Sequence, residues 1–227
     1  MGIRTTLLGV LVAASLAACH TVPQGHVELA KDKLVAPQSG RVGVAMTEPA
    51  VDLYLPGAGC LLCLAAAAIA NQSLNGYSHT LKDDDLLQVK TEIVEMLRKK
   101  GIDASAVDGP LNIKDLPKLD LGPNMATKDF SSFAKRYDRL VVIDVNQVGF
   151  VRTYSAYIPT SNPMATVDAT AYMVDLKTNA YDWYEHVTVT KQADGKWDEA
   201  PSFPGLTNAY FQALETGKDR LKQPFVD

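Results

Sequence analysis

Apolar and polar positions follow different rhythms along the chain, and each rhythm predicts an element. Arg41–Met46 is a short apolar run bounded by Gly40 and by Thr47-Glu48-Pro49, which predicts a buried strand. Residues 51–55 alternate as a second strand or extended arm, broken by Pro56-Gly57. Residues 81–100 have the helical period: Leu86, Val89, Ile93, Met96 and Leu97 share a stripe. Asp83, Asp84 and Asp85 crowd the amino end of this segment, and Arg98, Lys99 and Lys100 crowd the carboxyl end before Gly101, in the order the helix dipole favours. Residues 102–107 predict a strand, followed by a link through Pro110, Pro117 and Pro123. A second helix is predicted over 128–137, capped by Thr127, with Phe130, Phe133, Ala134 and Tyr137 on one face. Residues 140–145 are apolar on both faces until Asp144, as in a central strand. Residues 148–158, 165–176 and 180–190 alternate side-chain type and predict an antiparallel meander with one solvated face, a Lys177-Thr178-Asn179 turn joining the last two. A terminal helix is expected over 206–221, on a stripe of Leu206, Ala209, Tyr210, Ala213, Leu214 and Leu221.

One segment has no rhythm. Residues 57–70 carry no charge at all, and the run is shorter than the roughly 20 residues a spanning helix needs. A buried helix is the expectation there, with a membrane-dipping element as the alternative. The apolar insertion as a whole covers 53–76.

The amino terminus adds an address. Arg4 precedes an apolar core at 7–14, and Leu16-Ala17-Ala18-Cys19 ends it with small residues and a cysteine, so residues 1–18 are expected to be a signal peptide. Leu-Ala-Ala-Cys resembles a bacterial lipobox. The resemblance implies a diacylglyceryl thioether on Cys19, cleavage before it and acylation of the new terminus, with palmitate as the kind of chain carried. Two or more acyl chains suffice for stable membrane anchoring. His20, not Asp, follows Cys19, which in lipoproteins of this pattern implies the outer membrane, on its periplasmic face. Residues 19–40 contain Pro23, Gly25, Pro37, Ser39 and Gly40 without a sustained apolar period and are expected to be a tether. A single periplasmic domain is expected over 41–227.

Charge narrows the partners. The chain has 22 basic and 26 acidic residues, a formal net charge of −4, which argues against nucleic acid and against a polybasic grip on lipid. The membrane contact is left to the lipid, and a protein of the envelope is the expected partner; homo-oligomerisation stays open.

The order of elements predicts an α/β (α+β) domain, a mixed sheet with helices packed on it and an antiparallel meander in its second half. It resembles envelope lipoproteins of the TolB amino-terminal, CsgG and LpoB type. The resemblance rests on residues 42–46 as first strand, 81–101 as long helix, 130–145 as helix then strand and 165–189 as hairpin. The insertion with its cysteine pair departs from that pattern.

Candidate chemistry is sparse. Of three cysteines, Cys60 and Cys63 remain after Cys19, in a compartment expected to be oxidising. They open the apolar run after an extended segment and a Pro-Gly break. A structural disulfide, a thiol-redox pair and two reduced core thiols are the three readings. Leu61 and Leu62 inside the motif favour a buried, inert pair. His20, His26, His79 and His186 are scattered, so no metal site and no cofactor are expected. Asp168, Asp175, Asp182 and Glu185 supply carboxylates for a pair, yet an outward strand face carries such residues anyway; no catalytic residue is assigned. The expected function is a non-enzymatic interaction or envelope-assembly module anchored in the outer membrane. The alternatives are a thiol-redox protein using Cys60 and Cys63, or a membrane-associated subunit of a secretion or pore assembly.

Overall fold

The computed structural model of the protein describes residues 23–35 and 37–226; the signal segment and Cys19 lie outside the described residues. The chain forms β1 (Arg41–Met46), β2 (Val51–Tyr54), α1 (Leu61–Ala70), α2 (Gln72–Ser78), α3 (Asp84–Lys99), β3 (Asp103–Ala106), β4 (Arg139–Val151), β5 (Tyr154–Ser155), β6 (Ile158–Pro159), β7 (Met164–Asp175), β8 (Ala180–Gln192) and α4 (Pro204–Lys222). It is an α/β protein with a mixed six-stranded sheet in the order β3-β1-β4-β7-β8, β2 pairing with the far half of β4. β1, β2 and β3 run parallel to their neighbours, while β4, β7 and β8 form the long antiparallel meander.

β4 organises the sheet. Val42 stands opposite Arg139 and Val51 opposite Val148, so β1 and β2 keep the same register offset on either side of the Pro49 interruption. Thr47 bridges the gap: its N–H donates to the Ile143 carbonyl and its Oγ1 accepts from the Val145 N–H at 2.8 Å. Gly149 in β4 has φ +127°, and a Cβ there would meet the Asp52 backbone, so only glycine lets β2 approach at that point.

The two sheet faces are covered differently. One carries α3 and α4, whose Leu86, Val89, Ile93, Leu97, Leu206, Tyr210 and Leu214 pack on Val141, Ile143, Val167, Ala169 and Met173. The α3 stripe uses Val94 in place of the expected Met96, which is only partly buried. The opposite face is covered over its lower half by the irregular link between β3 and β4, through Leu111, Ala126, Phe130 and Tyr137 against Leu140, Val142, Tyr172 and Val174. The upper half, with Asn146, His186 and Thr188, is open to solvent.

Several expectations are corrected. The helix over 128–137 is a single 3-10 turn, Ser131–Phe133. Asp129 accepts from the Ser131 N–H at 2.8 Å, and Asn179 donates to the Ala126 and Lys128 carbonyls, fixing a local turn in place of helical bonds. The strand expected over 148–158 is divided: β4 runs through Val151, then the two-residue strands β5 and β6 form a separate hairpin. The arm before β1 is docked along β8. Val27 exchanges two backbone bonds with Tyr184, Leu34 is buried, and Arg139 Nη1 donates to the Gln38 and Ser39 carbonyls. An exposed edge strand is thereby covered.

Candidate functional site

The departure from a compact sheet-and-helix body lies where β2 and β4 end. Pro56-Gly57 turns the chain away from β2; Gly57 has φ +88°, and a Cβ there would fall 1.9 Å from the Tyr154 carbonyl oxygen. Tyr154 N donates to the Pro56 carbonyl at 2.8 Å and Ala156 N to the Gly57 carbonyl at 3.1 Å, which stitches the β5–β6 hairpin to this turn. α1 sits on the hairpin through a small cluster of its own: Ala58, Cys63, Ala67 and Tyr154. Asn71, at the α1–α2 junction, is buried and donates to the Ala67 carbonyl and the Tyr154 hydroxyl, both at 2.6 Å. Arg152 Nη1 donates to Asn71 Oδ1 at 2.8 Å and Nε to the Ser161 carbonyl at 3.2 Å, while its guanidinium lies 4.8 Å above the Trp197 ring. One arginine thus joins the helix junction, the loop after β6 and the loop after β8. Beside it an open cleft of ≈ 310 Å³ is lined by Ser161, Pro163, Gln192 and Trp197.

This mounting leaves α1 outward. Only Cys63 and Ala67 of its ten residues are buried; Leu61 is 85% exposed, Leu62 82%, Ile69 74% and Leu64 46%. The buried helix expected from the uncharged run is therefore corrected: a helix without polar residues has no preferred inward face, and here the contacts of a short hairpin decide its orientation. Tyr157 and Ile158, in the adjoining hairpin, are exposed as well. α2 behaves conventionally, burying Leu74 in the main core and packing Tyr77 at a tilt against Phe203. Among the described residues no helix is long and apolar enough to cross a membrane.

Cys60 and Cys63 form a disulfide across the first turn of α1. Cys60 is the N-cap, exposed, and its Sγ accepts the Cys63 N–H at 2.9 Å; Cys63 is 8% exposed.

Elsewhere the sequence-derived candidates are drawn into local polar pairs. Asp168 accepts from Asn146 Nδ2 and Thr188 Oγ1 and faces His186 Nε2, all at 2.8 Å, on the open half of the sheet. Among the described residues no serine hydroxyl or cysteine thiol is bonded to this group. Asp182 accepts from Arg139 Nε at 2.7 Å and pairs with Lys33 at 3.1 Å, with Asp175 4.0 Å from the same guanidinium; these carboxylates hold the docked arm and the sheet edge together. Glu185 stands opposite Ala171. His79 is on Asp52 at 3.2 Å. Among the described residues no three His, Cys, Asp or Glu side chains gather as metal ligands. Asp144 is half-buried beside Thr47; burial holds its carboxyl above its ordinary value, against the opposing Thr47 bond. Burial also pushes the Tyr172 phenol well up.

No family model matches the chain, and no curated protein does. Among solved structures it is similar to the PelC dodecamer from Paraburkholderia phytofirmans, at 10% identity and TM-score 0.38 over 88% of this chain and 94% of that one. It is also similar to protein XCC0632 from Xanthomonas campestris, at 16% identity and TM-score 0.40 over 80% of each chain. Lipoprotein GNA1162 from Neisseria meningitidis aligns at 12% identity and TM-score 0.27 over 77% of this chain and 99% of that one.

Proposed function

We propose that the protein is a non-enzymatic module of the bacterial envelope, lipid-anchored through Cys19 at the periplasmic face of the outer membrane, which docks an envelope protein on the outward face of α1. The observation that carries this reading is the exposure of Leu61, Leu62 and Ile69 on a helix without a charge. An apolar surface of this kind, held on a fixed hairpin, is the usual mark of an interaction site. The placement favours a protein over the anchoring bilayer as occupant. Gln24, at the start of the described chain, bonds Asn124, which in turn accepts from Tyr181 N in β8. α1 lies at the other end of the strands, where Val151, Met164 and Gln192 are in register. At about 3.3 Å per residue the two ends are separated by roughly 30 Å, so Gln24 and α1 stand at opposite ends of the strands.

The test is in-cell photocrosslinking from position 62, with Glu95, exposed on α3, as the control. The reading expects one defined protein adduct from position 62 and none from position 95. Adducts with lipid alone, or the same pattern from both positions, would remove it. The anchor is tested separately: Cys19→Ala is expected to abolish lipid labelling and release the protein from the outer-membrane fraction, and normal labelling of that variant would contradict the anchor.

A further inference from the structure

We propose that Cys60 and Cys63 form a thiol–disulfide exchange site that takes two electrons from a protein dithiol presented on an apolar segment. The inference shares with the docking reading only the exposure of α1, and goes beyond it by assigning chemistry.

Two features would make this disulfide inert: burial of the attacked sulfur and obstruction by the residues between the cysteines. Neither holds. Cys60 is exposed, and Leu61 and Leu62 project to solvent at 85% and 82%. The two cysteines differ in the way that directs an exchange. Cys60, at the N-cap, is open to a nucleophile, while Cys63 is packed among Ala58, Ala67 and Tyr154 and reached only through its partner. The Cys63 N–H already donates to Cys60 Sγ at 2.9 Å. That donor, with the helix amino terminus around it, stabilises a thiolate at Cys60 once the bond is opened. No acidic residue occupies the first turn of α1 to oppose it. Gly57, clamped against Tyr154, holds the turn that leads into the motif.

The step balances as ordinary exchange. A thiolate of the partner attacks Cys60 Sγ, the Cys60–Cys63 bond breaks, and Cys63 leaves with the electron pair and takes a proton from water. The partner's second thiolate then attacks its own sulfur in the mixed disulfide and releases Cys60. The partner gains a disulfide, and Cys60 and Cys63 end as a reduced pair. Leu61 and Leu62 flank the attacked sulfur and would seat the apolar residues beside the partner's cysteine.

The experiment equilibrates the full-length protein, in detergent, with glutathione buffers of graded redox ratio, and reads each cysteine by alkylation and peptide-resolved mass spectrometry, so that Cys19 is scored separately. Cys60 and Cys63 are expected to convert together from disulfide to dithiol within the range of the buffers, with the helical signal retained. A disulfide that stays intact across that range in the folded protein would overturn the proposal. As a second arm, Cys63→Ser is expected to acquire one glutathione at Cys60 at least ten times faster than Cys60→Ser acquires one at Cys63. Equal rates would also overturn it. If either variant loses its fold, the titration of the unaltered protein decides alone. A position-62 protein adduct that persists in Cys60→Ser would leave the docking reading standing whether or not exchange is found.

Discussion

α1 and α3 are both rich in leucine and isoleucine, yet one displays these residues and the other hides them. α3 buries Leu86, Val89, Ile93, Val94 and Leu97 and turns its acidic and basic residues to water; α1 has no polar residue with which to choose a side and buries only Cys63 and Ala67. The contrast shows that amphipathic pattern, and not apolarity, orients a helix on a fold. Packing partners matter equally. α3 lies across β1 and β3 and beside α4, whereas α1 is mounted on a hairpin of two-residue strands that can bury one narrow stripe.

Truncation separates the two helices most sharply. Ile93→Ala removes a fully buried side chain from the main core and is expected to cost about 2 to 5 kcal/mol in chemical denaturation; a cost below about 1 kcal/mol would place α3 outside the core. Gly57→Ala probes the mounting of α1. The positive φ and the Tyr154 carbonyl leave no room for a Cβ, so strain of about 1 to 3 kcal/mol is expected. It should appear as faster amide exchange confined to α1 and the β5–β6 hairpin, with α3 unchanged. Uniform acceleration would show that α1 is continuous with the main core.

The third effect is smaller and depends on pH. Burial raises the Asp144 carboxyl in the folded protein above its value in the unfolded chain. The folded state therefore holds the proton more tightly, and ionisation of Asp144 costs stability at neutral pH. That cost falls as pH drops through the raised value and is gone below the unfolded one. Asp144→Asn is expected to be more stable than the unaltered protein at pH 7, with the difference shrinking as the medium is acidified. Denaturation midpoints measured across that range check the sign. The smallest effect is Leu62→Ala, expected to stay within about 0.5 kcal/mol of the parent because the side chain is 82% exposed.

The parts of the fold that could be read from sequence are those in which local pattern and tertiary burial agree. β1, α3, the meander strands β7 and β8, and α4 each have a periodicity that matches the face they bury. The 3-10 turn near Phe130 escaped because Phe130, Phe133, Ala134 and Tyr137 are spaced as a helical face, while the bonds that decide the segment come from Asn179, far along the chain in the β7–β8 turn. The docked arm escaped for a similar reason. Its ties are backbone pairing of Val27 with Tyr184 and the reach of Arg139 to the Gln38 and Ser39 carbonyls, neither of which leaves a local period. The disulfide was among the readings the cysteine spacing allowed, but the exposure of Cys60 was not, because Leu61 and Leu62 have the composition of core residues and their exposure is set by how the hairpin orients the helix.

The claim that α1 presents an apolar docking face is tested most directly by Leu62→Gln with Ile69→Gln, a pair that adds polarity with little loss of helix propensity. The double variant is expected to unfold at the same denaturant midpoint as the parent and to lose the protein partner recovered by crosslinking from an unaltered neighbouring position, Leu61. A fall in stability of the size expected for Ile93→Ala, or undiminished recovery of the partner, would contradict it.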